Sequence, residues 1–311
     1  MTKTLTPATR SATRPLSRGT RSANARRPLT GMLFVAPTAL IVLVLFLVPL
    51  GILLYMSFTD YPLLGSPTLN GVENYRAIPQ DDLFLGAIKF TLVYTAVTTV
   101  VIFAVSFVLV AISNSSRRVA KVYRTSYFLP YVVGTAAASL MWFINYDTVI
   151  GVYNELLLRI GIIHEPLAFL ATPAPAFWSI IALVVWKFVG FQVLILLVGL
   201  QAIPRELYEA CRMDGASRWQ QLRYITIPYL TPTLALLFIL SVTGSLLAFD
   251  QFLILTKGGP DNTTVSLVYA IYNTAFQTFD LGRAAALSIV LLVALILING
   301  VQLTLLRRRD V

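Results

Sequence analysis

Few side chains in this chain have types and spacing suited to chemistry. Among 311 residues there is one cysteine, Cys211, and one histidine, His164. A lone cysteine excludes an intrachain disulfide and any cysteine-based metal site. His164 lies in a loop, so no metal centre is expected. No G-x-x-x-x-G-K-[ST] run occurs, which rules out phosphate cradling of the P-loop kind. No paired carboxylates and no Ser/His arrangement suggest hydrolysis, so no catalytic residue is assigned. Two polar sets remain. One is a run in which Glu206, Glu209, Arg212 and Asp214 alternate with Leu207, Ala210, Met213 and Ala216. The other is a scatter of polar residues inside apolar stretches: Asn145, Lys187, Gln192, Asp250 and Gln251. A charge buried at mid-bilayer costs about 3 kcal/mol or more, so each polar residue there needs a partner or a solvated path.

The first set calls for a helix. Its apolar residues recur three apart, the period of an amphipathic helix. Gly215 permits a sharp change of direction. Trp219, Leu222 and Ile225 then continue a second helical stripe, and Pro228 and Pro232 mark the start of the next apolar span. A helix–turn–helix at 202–227, between two membrane spans, is too polar for the bilayer and too ordered for a plain linker. It reads as a docking surface, with Leu207, Ala210 and Met213 filling a groove while Glu209 and Asp214 take polar partners at its rim.

On these residues the chain resembles a known family. Glu209-Ala210-Cys211, then Asp214-Gly215-Ala216, then Ile227-Pro228 resemble the EAA loop of ABC importer permeases. LQAIP before it and LTKGGPDNTT after it are similar to the carbohydrate-uptake branch, on the side of the maltose-type first permease subunit. Cys211 stands where that family usually has a second alanine; being small and apolar, it is compatible with the helix. The resemblance covers most of the chain from about residue 33. It implies an all-α fold, the type I ABC importer permease, with six transmembrane helices. It implies no ATP site on this chain: ATP and Mg would be bound by a separate ATPase docked on Glu209, Ala210, Cys211, Asp214, Gly215 and Ala216. The implied partners are a second, different permease subunit, two ATPase subunits and an extracytoplasmic solute-binding protein. The implied substrate is a sugar or polyol.

Composition agrees with a membrane protein. Hydrophobic residues make up 57% and charged residues only 12%, about half the charged share of a soluble domain. The net charge of +10 does not suggest nucleic-acid binding, because the basic residues are segregated by loop. Residues 1–30 hold seven Lys or Arg and no acid and read as a disordered cytoplasmic tail. Spans are expected at about 33–58, 87–113, 125–146, 175–200, 228–256 and 281–306. Residues 152–160 are expected to form a short interfacial helix. The tail, the loop with Arg117, Arg118, Lys121 and Arg124, the loop around Glu209 and the C-terminus together carry 18 of the 24 basic residues. By the positive-inside rule these four segments face the cytoplasm, which places both termini inside the cell membrane of a prokaryote and puts 70–82 and 257–264 outside, towards the binding protein.

For the second polar set two readings stay open. Lys187 and Asp250 can line a translocation path, with Trp186 or Phe249 stacking on a sugar ring, or they can pair as a structural bridge between spans. The family resemblance implies a midplane substrate site, and Phe249-Asp250-Gln251 matches the segment before the GGPD turn that supplies sugar contacts. Its identities differ from the Asn-rich segment of the maltose-type permease. Gln192 and Asn145 are further path candidates; Tyr272 and Asn273 are weaker ones, Tyr272 fitting an interfacial belt better. Two rival functions are kept. One is an ABC permease for another solute such as glycerol phosphate, which would favour an arginine in the path. The other is a secondary transporter relaying ions through Lys187 and Asp250, which should show inverted repeats and broken helices.

Overall fold

The computed structural model describes residues 27–113 and 118–307. The basic tail through Arg26, Arg117, and Arg308 and Arg309 lie outside the described residues. The chain divides into two compact units, 1–52 and 53–311. In the first, α1 (Arg27–Val42) passes through one wide π turn (Leu43–Leu47) into α2 (Val48–Ser57). Helix therefore begins inside the stretch expected to be disordered, at Arg27. Phe34–Ser57 is apolar over 24 residues, and at 1.5 Å per residue that suffices to cross a bilayer.

The second unit opens with a two-stranded antiparallel ribbon, β1 (Thr59–Asp60) and β2 (Thr68–Leu69). Next come α3 (Glu73–Ala77), the long α4 (Asp82–Ser113), and α5 (Arg118–Val132) with α6 (Thr135–Asn145). A short helix, α7 (Val152–Arg159), lies within the bounds expected for one, and α8 (Pro173–Gln201) follows. After them run α9 (Arg205–Met213), α10 (Arg218–Gln221), α11 (Ile227–Leu246), α12 (Leu267–Phe276) and α13 (Leu281–Arg307). Among the described residues, five helices are long and apolar enough to cross a membrane, or six if α5 and α6 count as one span.

Two expectations need correcting. The third span is not straight: its two halves meet at 101°. The fifth helix ends at Leu246 instead of running on to Thr256, and a separate wide turn covers Phe252–Thr256. Between the turn at 257–264 and the last span lies α12, which the preceding Ser266 caps by accepting from the Tyr269 amide. The break after α11 has a chemical reason. In lipid, a backbone group freed by a break must find a partner inside the protein, and here side chains distant in sequence supply one. The Ser266 hydroxyl donates to the Ala248 carbonyl at 2.9 Å, and the Thr91 hydroxyl accepts from the Leu267 amide at 3.0 Å.

α8 is the central helix of this unit. Thirteen of its residues are buried, and one cluster packs Ile180, Leu183 and Val184 against Tyr94, Tyr146 and Phe252. Gly190 sets how close α5 comes: a Cβ there would overlap the Tyr127 carbonyl. Small residues at helix crossings permit this approach in membranes, where dispersion rather than hydrophobicity drives association. Tyr131 then stacks on Phe191, ring centroids 4.7 Å apart and planes 14° off parallel.

Candidate functional site

The fold encloses a cavity of about 420 Å³ between α4, the bent α5–α6 pair, α8 and α11. Tyr94, Tyr131, Phe188, Phe191 and Phe249 give it aromatic walls, and Thr98, Thr135, Gln192, Ser241, Asp250 and Gln251 give it hydrogen-bonding groups. Asp250 is the one acid among its lining residues, and no Lys, Arg or His lines it. Asp250 reaches the cavity because α11 stops at Leu246 and the chain turns before helix resumes. Buried Gln251 donates to the Tyr94 hydroxyl at 3.1 Å, which ties the polar segment to α4. The Phe249 ring rests 5.2 Å from that of Tyr272. Gln192 is 4% exposed, and its Nε2 has no hydrogen-bond partner among the described residues. Thr99 and Ser241 share a hydroxyl contact at 3.1 Å.

Four of the expected path residues thus share one cavity: Gln192, Phe249, Asp250 and Gln251. Three do not line it. Trp186 packs on Trp142, centroids 5.6 Å apart, and Asn145 turns back to the Met141 carbonyl at 2.7 Å. Lys187 is 3% exposed and binds backbone instead: its ammonium donates to the carbonyls of Val133 and, at 3.4 Å, Tyr131. No ion pair joins it to Asp250. The ion pairs among the described residues are Arg76–Glu73, Arg159–Glu155 and Arg283–Asp81, and Asp250 acts on the ammonium only through space. Neither reading of the pair holds as a whole: Asp250 lines the cavity, and the partner of Lys187 is a helix end. α5 terminates with its carbonyls facing Lys187, where a cation gains up to about 2 kcal/mol from the helix dipole in a partly buried setting. Tyr94 and Thr98, four apart and both buried on α4, are cavity residues that sequence reading missed; their one-face spacing was the available signal.

The polar loop forms the helix–turn–helix that the sequence requires. α9 ends with the Ala216 amide donating to Cys211 O at 2.9 Å and the Gly215 amide to Arg212 O at 3.1 Å, with Gly215 at φ 76°. These are the two bonds of a Schellman stop, which favours glycine at that position. Ser217 then opens α10 through a reciprocal capping box with Gln220. Leu207 does not face a partner as expected. Together with Tyr208 and Cys211 it packs onto Ile203, Ile225 and Leu230. The inward position of Cys211 explains why a small apolar residue suffices there. Glu209, Ala210, Asp214 and Gly215 are exposed, Ala216 half-buried. Beside them Met213 is 89% and Trp219 66% exposed, large apolar side chains in water at the tip of a charged loop.

Comparison with known proteins gives consistent findings. Residues 108–311 match the family model described as binding-protein-dependent transport system inner membrane component. A probable starch degradation products transport system permease protein of Thermoanaerobacterium thermosulfurigenes is 28% identical, over 90% of this chain and 94% of its own length. An sn-glycerol-3-phosphate transport system permease protein of Agrobacterium fabrum is 31% identical over 89% and 94%. Among solved structures, a chain of a bacterial ABC transporter that imports the acidic polysaccharide alginate superposes with TM-score 0.78 at 26% identity, covering 91% of this chain and 96% of that one.

Proposed function

The chain belongs to the binding-protein-dependent transport system inner membrane components, and from that premise we propose that it forms half of the path of an ATP-driven importer for a neutral sugar or polyol. The observation that carries the reading is the cavity. At about 420 Å³ it falls in the size range of small-molecule sites, roughly 300–1,000 Å³. Its aromatic faces suit the apolar faces of sugar rings, and Asp250, Gln251 and Gln192 suit their hydroxyls. The glycerol-phosphate reading is favoured by one relative's name but disfavoured by the lining, which holds a carboxylate and no cation. The secondary-transporter reading is not helped by the fold. The broken helix expected of it is present, so that feature does not discriminate, while family membership favours the importer.

A second permease subunit would complete the path, two ATPase subunits would drive it, and a solute-binding protein would deliver the substrate outside. The exposed loop supports the ATPase contact: Glu209, Ala210, Met213 and Asp214 form its free face, and Cys211 holds that face to the body. Closure of the ATPase pair on ATP would pull this loop and open the cavity outward, giving alternating access. The test is co-purification after mild detergent extraction, wild type beside Glu209→Lys. We expect an ATPase and a second permease with the wild type and loss of the ATPase from the variant. A solitary chain that still transports refutes the reading.

A further inference from the structure

The buried cation that the path does not use is Lys187. Its position is unusual in three respects. It is almost fully buried in a long apolar helix, no carboxylate among the described residues lies within ion-pair distance, and its ammonium contacts the carbonyls at the break between α5 and α6. Tyr131 also rests on Phe188 and Phe191 of α8, but beyond that ring the break is lightly packed. Leu129, Val132 and Val133 are exposed, and no atom lies within 4 Å of where a Gly134 side chain would begin. Tyr131 and Thr135, one on each side of the break, both line the cavity. The ammonium also stands 5.9 Å from the centre of the Tyr131 ring and 5.2 Å from that of Phe188, a further cavity wall. Lys187 is thus the α8 side chain that hydrogen-bonds the carbonyls at this break, whose two arms form one side of the cavity.

We propose that Lys187 is a positioning residue: it clasps the hinge at Val133–Gly134 and so fixes the cavity wall that Tyr131 and Thr135 present to solute. A cation suits this role because the carbonyls at the end of α5 carry partial negative charge, and three donors can serve two acceptors while the arm swings. Lys187 does not itself line the cavity. Removing it therefore alters how the wall is held and leaves intact the groups that touch solute. The inference stands on this geometry, and only its consequence for transport rests on the importer reading.

The test uses the whole complex in detergent, with Lys187→Arg, Lys187→Gln and Lys187→Met. The first readout is hydrogen–deuterium exchange of amides 132–136, which needs no solute. Exchange should stay near wild type for Arg, rise for Gln, and rise about tenfold or more for Met, as local opening becomes easier. The second readout is maleimide labelling of Thr135→Cys in a Cys211→Ser background. Its rate should change in the same order, since the wall is no longer fixed. Flat exchange across the series overturns the clasp, whatever the chain transports. If Lys187→Met fails to assemble, the Arg–Gln difference decides by the same ordering. With maltose as probe in reconstituted vesicles, any uptake should fall in maximal rate and keep its half-saturation. A raised half-saturation with unchanged exchange overturns the proposal, by making Lys187 a solute contact. Ordered exchange with no maltose uptake leaves the clasp standing and counts only against the solute class.

Discussion

Single residues here do work that their types announce and their partners decide. Lys187 was recognisable as costly from its place in an apolar run, yet its partners lie 54 and 56 positions away in the chain. Asp147 is the opposite case, with all its partners local. Its Oδ1 accepts from the amides of Val149 and Ile150 at 2.8 and 3.0 Å, and these bonds hold its carboxyl below the usual carboxylate range. A depressed folded value means the contribution is complete above the ordinary carboxylate pKa and is lost as pH falls through the folded one. Protection of the Val149 and Ile150 amides, measured by exchange and corrected for intrinsic rates, should therefore persist at neutral pH and fade in acid below the ordinary range. Asp147→Asn should remove that pH dependence. Equal dependence in both proteins would refute the assignment. Cys211 belongs to the same scale: its inward packing keeps the loop on the body without any role for its thiol.

Among the elements, α8 and the two breaks matter most. Long apolar helices are easy to read, because lipid demands that every backbone group be paired within the helix. A break is legible only if its rescuers are known. The third span carries Pro130 and Gly134, which in isolation suit a continuous helix with a small-residue face as well as a 101° bend. Lys187 on α8 and the close approach of α5 at Gly190 decide between them. Gly190→Ala should separate α5 from α8, because its methyl would enter the Tyr127 carbonyl. Overpacking of this kind costs about 1–3 kcal/mol, readable as a lower midpoint of thermal inactivation in the purified complex. An unchanged midpoint would mean the crossing is looser than the geometry indicates. The polar loop shows the converse: capping box, Schellman stop and apolar period are all local, so its shape was readable, while the inward turn of Leu207 was not.

For the whole molecule the outstanding question is sidedness, which the distribution of basic residues addresses. Eighteen of 24 fall in segments assigned to the cytoplasm, and the positive-inside rule turns that bias into an orientation. Met213 at the tip of the polar loop and Asn262 in the turn after Pro260 are both exposed. In a Cys211→Ser background, Asn262→Cys should react with a membrane-impermeant maleimide in intact spheroplasts. Met213→Cys should react only after lysis. The reverse pattern would invert the topology and remove the loop from any cytoplasmic ATPase.

The sequence by itself determined the class, the positions of most spans, the helix–turn–helix of the polar loop with its glycine stop, and the presence of Lys187, Gln192 and the 249–251 segment as polar residues within apolar spans. Those features follow from hydropathy, from helical period and from the cost of charge in lipid, which act over a few turns of chain. Only the tertiary structure decided that Lys187 binds carbonyls and not Asp250, that α11 stops short so that Asp250 meets the cavity, and that Tyr94 and Thr98 face it from α4. Each of these depends on a group more than fifty residues away or on a break that a distant side chain makes tolerable. No local pattern encodes such a pairing, because the unpaired backbone group and its rescuer meet only when the helices pack.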